Sequence, residues 1–394
     1  YLIKNGLMAL KPEESQFANE TLFKLHAVIH KERIINYYLE HSQELDKVLN
    51  IFIRVNSGGT QLSYSDLLLS IATAQWKTKD AREEITGFVD EINNVGEGFE
   101  FDKDFVLKSC LVLSDIPDIA FKVDNFSNKN MAIIEKKWEM IERAIKTTVD
   151  LVSGFGYGQQ TLTSANALIP VAYYIMQIGA PDNFSLASKY QDDRLKIKKW
   201  LAMSLIKRVF SGQPDNVLRP MRTILQENGQ KFPLATIIDK FKGKTKAMTF
   251  TEDDIENLFY SRYGQGHAFS VMALLYPTLD FRNRFHQDHI FPRSWFKRRT
   301  LNAKKIPQDK QEFYLENYDY IMNLQLLEGV PNEEKSNKNF NVWLNEAYKS
   351  DSEKTEFLKK HYIPQNIALD FSNFEDFIVG RKKLLMAKLK EILQ

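Results

Sequence analysis

At 394 residues and 45.9 kDa the chain is too long for one compact core and points to two or three domains. Hydrophobic residues at 43% and aromatics at 12% exclude a disordered or fibrous chain, and a lone cysteine, Cys110, excludes a disulfide framework or a Cys-rich zinc finger. Fifty-three basic against 51 acidic side chains leave a net charge of +2, which excludes a histone-like polycation, and no apolar run approaches the roughly 20 residues of a membrane helix. A soluble, cytoplasmic protein is expected.

The chain opens on Tyr1-Leu-Ile-Lys-Asn-Gly6, without an initiator Met or a signal-peptide pattern. This reads as a strand and turn entered midway, so the numbering is expected to begin inside a longer polypeptide. Leu45, Val48, Leu49 and Phe52 keep an i, i+3, i+4 spacing that predicts a helix ending at Asn56-Ser-Gly-Gly59. Ser63 is then a good N-cap and Asp66 takes the capping-box position, predicting a helix over 67–76.

From about 80 to 258 the pattern is helical almost throughout. Ile134, Trp138, Ile141, Ile145, Val149 and Val152 form one apolar stripe, and Trp200, Leu201, Ser204, Leu205 and Val209 another; both read as bundle core. Asp80–Asp104 carries nine carboxylates against two basic residues and reads as a solvated face. Gly154–Thr161 is Gly-rich but has no P-loop Lys and no preceding strand, so it reads as a connector. His26 and His30 have zinc-ligand spacing without an intervening Glu, and Cys110 reads as helix core.

The balance reverses between Phe281 and Lys310, where nine Lys or Arg face two Asp and five large aromatics are interleaved. Such a segment suits a phosphate backbone. Arg293, Lys297, Arg298, Arg299, Lys304 and Lys305 are the expected DNA contacts. Within the same stretch lies His286-Gln-Asp-His289-Ile-Phe-Pro292. Phosphodiester hydrolysis needs a base for water and a divalent cation on the phosphate. Asp288 and His289, adjacent on a strand, point to opposite faces, so one can serve the metal while the other serves the water. Downstream, Asn323 precedes the apolar run Leu324, Leu326, Leu327, and Asn332 is expected to open a helix with Lys335 and Lys338 on one side.

Two strands leading into a short helix, with Asp-His on the first and Asn on the helix, resemble the ββα-metal fold of HNH nucleases. The resemblance implies His289 as general base, Asp288 as metal ligand, Asn323 holding the His, and Asn332 completing a site for Mg²⁺ or Mn²⁺. His-x-x-Asp-His-Ile-Phe-Pro followed by Asn-Leu-x-Leu-Leu and Asn-x-x-Lys is similar to the domain closing GmrSD-type modification-dependent restriction enzymes and their phage-defence relatives. In that family Phe-x-Arg-x-Asn-x-Gly-Gly-x-x-Leu-Ser lies near the end of a ParB-like nucleotide-hydrolysing domain; Phe52, Arg54, Asn56, Gly58, Gly59, Leu62 and Ser63 match it. The family's Asp-Gly-Gln-Gln-Arg motif does not occur in residues 1–394, so nucleotide hydrolysis is not expected of this chain alone. Arg54 and Asn56 are at most a remnant of a nucleotide site, and an NTP would belong to the longer protein.

The expected fold is therefore mainly α with small β elements. A remnant of an α/β ParB-like domain (1–75) precedes a helical region (76–258) and a C-terminal ββα-metal domain (259–394). His286 reads either as a further metal or phosphate contact or as a structural hydrogen-bond partner, and Lys335 either as a phosphate contact or as helix surface. Two functions of different class fit: a metal-dependent DNA endonuclease of a restriction or anti-phage system, or a non-catalytic DNA-binding or modification-sensing module on the same scaffold. Expected partners are double-stranded DNA, and further copies of the chain or other defence proteins; no membrane is expected.

Overall fold

The computed structural model describes residues 10–32, 39–42, 47–48, 51, 64–73, 75–277 and 285–394. The chain divides into two compact units, 1–61 and 62–394. In the first, α1 (Pro12–His30) starts with Pro in its first turn beside Glu13 and Glu14, where acidic groups favour the helix dipole. His26 and His30 lie one turn apart on it, ring centres 4.8 Å from each other. The Phe52–Ser63 segment, with Arg54 and Asn56, lies outside the described residues.

The second unit is mainly helical. In chain order it comprises α2 (Tyr64–Thr73), α3 (Ala81–Asn93), α4 (Lys103–Leu113), α5 (Asn128–Ser153), α6 (Ile169–Gln177), α7 (Gln191–Ile206), α8 (Asp215–Asn228), α9 (Leu234–Phe241), α10 (Glu252–Leu258) and α11 (Gly266–Leu275). Strand β1 (Phe285–His289), α12 (Arg298–Ala303), α13 (Gln308–Asn317), β2 (Leu324–Glu328), α14 (Gly329–Lys335), α15 (Phe340–Ala347), α16 (Asp351–Lys360) and α17 (Phe374–Leu393) complete it. No described helix is long and apolar enough to cross a membrane.

The expected stripes are core. All six apolar positions of α5 are buried, and Trp138 at its centre donates from Nε1 to Glu84 of α3 at 2.8 Å. Burying such side chains stabilises by about 1.5–3 kcal/mol each, which fixes α5 against its neighbours. Cys110 is buried in α4. The acidic run is a solvated face, as expected, with eight of its nine carboxylates exposed, and two of them also cap helices. Asp80 caps α3, accepting from Arg82 N and Glu83 N, and Asp102 caps α4, accepting from Phe105 N. The helix expected over 67–76 instead runs Tyr64–Thr73, and Ser63, its expected N-cap, lies outside the described residues.

Among the described residues the strands form one antiparallel pair, in register Phe285↔Glu328, His286↔Leu327, Gln287↔Leu326, Asp288↔Gln325 and His289↔Leu324. The connection between the strands carries the basic segment. Its aromatics turn inward: Phe291, Phe296 and Tyr314 pack on Phe371, Phe374 and Phe377, with centroids 4.8–6.3 Å apart. Its cations turn outward, all six expected DNA contacts being exposed. The interleaving of the two residue types is thus a core face alternating with a surface face. α14 follows β2 directly and packs against both strands. It spans Gly329–Lys335, so it starts three residues before Asn332, the position the sequence suggested.

Candidate active site

His289 ends β1, buried, with its Nε2 2.9 Å from Asp319 Oδ1. Asp319 is itself buried, just before the turn that leads into β2. Burial holds the imidazole below its ordinary value, against the opposing pull of Asp319, and the Arg293 charge adds to the lowering. The ring is therefore neutral at neutral pH. The Tyr263 ring lies 4.8 Å from it on one side and Tyr318 stacks at 6.4 Å.

Asp288, one residue earlier, points to the opposite face, as alternation on a strand requires. Its Oδ2 accepts from Nε2 of Gln325, its cross-strand partner, at 2.8 Å. Lys335 reaches it from α14, with Nζ 3.1 Å from Oδ1 and 3.0 Å from Oδ2, and also donates to the His289 carbonyl at 2.6 Å. Lys335 is fully buried, so it is not helix surface. Burial lowers its pKa while Asp288 raises it, with the net shift downward. Lys338, expected on the same side, is exposed and paired with Glu346 at 2.6 Å.

Asn323 is completely buried and ties together the segments that carry the two faces. Its Oδ1 accepts from Phe291 N (2.9 Å), and its Nδ2 donates to Phe291 O (3.0 Å) and Tyr318 O (2.8 Å). It thus locks the residues following His289 to the residue preceding Asp319. Arg381 of α17 supports this from below, donating to the carbonyls of Ile321, Met322 and His361. Burial pushes its pKa down to about 10, a cost accepted for three main-chain acceptors that hold the entry to β2.

Asn332 is half-buried in α14, and among the described residues no hydrogen bond joins its side chain to Asp288. The group that α14 delivers to Asp288 is Lys335. His286 shares the Asp288 face of β1 and is half-buried. Among the described residues no cluster of three or more His, Cys, Asp or Glu is placed to hold a metal ion. The oxygens there are the Asp288 carboxylate, which Gln325 meets through Nε2, and Gln325 Oε1, which is buried with no donor on it among the described residues. Hard oxygen donors suit Mg²⁺ or Mn²⁺.

Around the site the cations divide. Arg298 pairs with Glu312 at 2.5 Å, and Lys304 lies 4.1 Å over the Trp295 ring. Arg293, Lys297, Arg299 and Lys305 form no ion pair among the described residues. Asp319 and the burial of Lys335 were not read from the sequence. The available signals were a lone acid between two tyrosines before Asn323, and a Lys one turn after Asn332 on a helix too short to have two polar faces.

No curated protein matches the chain. Residues 238–387, from within α9 to within α17 and so including every residue of the site, match the family model described as GmrSD restriction endonucleases, C-terminal domain. The region that holds the buried His289–Asp319 and Asp288–Lys335 pairs is therefore similar to the C-terminal domain of GmrSD restriction endonucleases.

Proposed function

We propose that this region is an HNH-type, metal-dependent DNA endonuclease of a restriction or anti-phage system. The observation that carries the reading is the buried His289–Asp319 pair set back to back with Asp288 on two strands capped by a helix. With Nε2–H given to Asp319, Nδ1 of a neutral imidazole keeps its lone pair, the state a general base requires. Asp319 fixes the tautomer and stabilises the imidazolium that forms as water is deprotonated. Asn323 keeps His289 and Asp319 in register.

The oxygen donors at Asp288 fit Mg²⁺ or Mn²⁺, with Asn332 a further oxygen on the adjoining helix. When bound, such a cation supplies charge neutralisation at the phosphate and the leaving oxygen. Until then Lys335 holds the Asp288 carboxylate in place and neutralises it. Arg293, Lys297, Arg299 and Lys305 hold the duplex backbone; Arg298 and Lys304 contribute less, being engaged with Glu312 and Trp295. Residues 1–75 as a ParB-like remnant with Arg54 and Asn56, 76–258 as a helical spacer and 259–394 as the nuclease make up the proposed organisation. Further copies of the chain or other defence proteins are its proposed partners, and nucleotide hydrolysis is not assigned to these residues.

The test is Asp288→Ala assayed for binding and cutting of plasmid DNA with Mg²⁺ or Mn²⁺. Binding close to wild type with cleavage abolished is expected, because the acid serves the transition state more than the ground state. Normal cleavage by this variant would remove Asp288 from the metal site. A wild-type protein that binds DNA and never cuts it would favour the sensing module.

A further inference from the structure

The segment between α10 and α11, Tyr260–Gln265, has no role in the chemistry above, yet it is held tightly beside His289. Tyr263 N donates to Asp319 O at 2.9 Å, Ile321 N donates to Ser261 O at 3.1 Å, and Gly264 N donates to Gln287 Oε1 at 3.3 Å. Arg262 and Tyr320 form an isolated antiparallel bridge, so the segment is a short extra edge on the approach to β2. Gly264 turns the chain at φ +76°, a conformation that favours glycine. On this fixed edge three large side chains face solvent. Tyr263 is 41% exposed although its ring lies against His289, and Tyr260 is 54% exposed, edge-on to Tyr320 at 5.7 Å. Arg262 is exposed, its guanidinium 4.6 Å over the Tyr320 ring and bonded to Tyr320 Oη at 3.0 Å.

A rigid backbone that presents aromatic faces and a stacked cation next to a buried base has the components of a nucleotide platform. Aromatic faces take bases or sugars with little sequence preference, and the cation takes phosphate. We infer that Tyr260–Gln265 is a nucleotide-binding ledge, on which Tyr263 stacks an unstacked nucleotide of the strand beside His289 while Arg262 contacts its phosphate. This rests on the reading that DNA is the substrate, and it adds to that reading: the strand presented to His289 is locally out of duplex stacking.

The experiment measures binding in EDTA, so that cleavage plays no part, using a fluorescent single-stranded oligonucleotide and the same strand made entirely of abasic units. Stacking is worth about 1–3 kcal/mol per base, so Tyr263→Ala should weaken binding of the normal strand by roughly five- to a hundredfold. Tyr263→Phe should bind like wild type, and wild type and Tyr263→Ala should bind the abasic strand alike. Undiminished binding by Tyr263→Ala, or an equal loss on both strands, overturns the ledge and leaves the nuclease reading standing. A wild-type protein that binds neither strand nor duplex overturns both.

Discussion

The helix α5 and the β1–β2–α14 element both bury side chains and are held by opposite means. In α5 the buried side chains are apolar apart from Thr147 and Thr148, and the Thr148 hydroxyl bonds only the Ala144 carbonyl of its own helix. Around β1 and β2 the fully buried set includes Lys335, Asn323, Gln325 and Arg381, each bonded to residues 32 to 60 positions away. An apolar stripe needs only rough complementarity, whereas a buried polar network is costly unless every member is satisfied. The second region has therefore been arranged around particular atoms, the pattern expected of a site rather than a scaffold.

The contrast breaks most sharply at Lys335. Lys335→Met should cost about 3–5 kcal/mol in urea unfolding, because it strands the Asp288 carboxylate among buried groups. Most of that loss should return in Lys335→Met combined with Asp288→Leu. A loss below about 1 kcal/mol would mean that the pair is open to water. By comparison, Ile145→Val in the α5 stripe should cost about 0.5–1.5 kcal/mol, with nothing for a second substitution to rescue.

Between these lies a pH effect carried by His361. It is buried, accepts or donates at Nδ1 with Tyr276 Oη at 3.2 Å, and stacks on Phe357 at 4.0 Å. Burial, then the charges of Arg381 and Lys360, hold it well below its ordinary value of 6.5. The unfolded chain therefore takes up a proton near pH 6.5 that the folded chain refuses. Stability from this group is fully present above that pH and falls by about 1.4 kcal/mol per pH unit below it, down to the folded value. Melting temperatures followed from pH 7.5 to 5.5 should drop less steeply in His361→Gln than in wild type; parallel slopes would refute the assignment.

The least costly change to the fold is at the surface. Neutralising Lys297, Arg298 and Arg299 together should leave unfolding within about 0.5 kcal/mol of wild type. It should weaken binding to all duplexes alike and lower the salt slope of log K by about two, not three, since Arg298 already serves Glu312. An unchanged slope would make the segment an ordinary solvated loop.

Much of this was legible in the sequence, for physical reasons that differ by region. The α5 stripe is a local periodicity of 3.6, and all six of its residues proved to be buried. Asp288 and His289 could be read because adjacent strand residues diverge by geometry alone. The acidic run is the solvated face its composition indicates, but the capping by Asp80 and Asp102 is not visible there, because they act on amides two or three residues away and composition hides them among the other carboxylates. Asp319 left no spacing to find: it meets His289 across 30 residues of connection, and only the strand register brings them together. Lys335 followed a motif position, but its burial is set by how seven residues of α14 lie across two strands, which no helical period records.

The most direct measurement is the single-turnover cleavage of supercoiled plasmid in Mg²⁺ or Mn²⁺ by wild type and by His289→Ala, with DNA affinity measured on the same preparations. Loss of a general base predicts a rate at least about a hundredfold lower at unchanged affinity. Cleavage by His289→Ala at the wild-type rate would contradict the account.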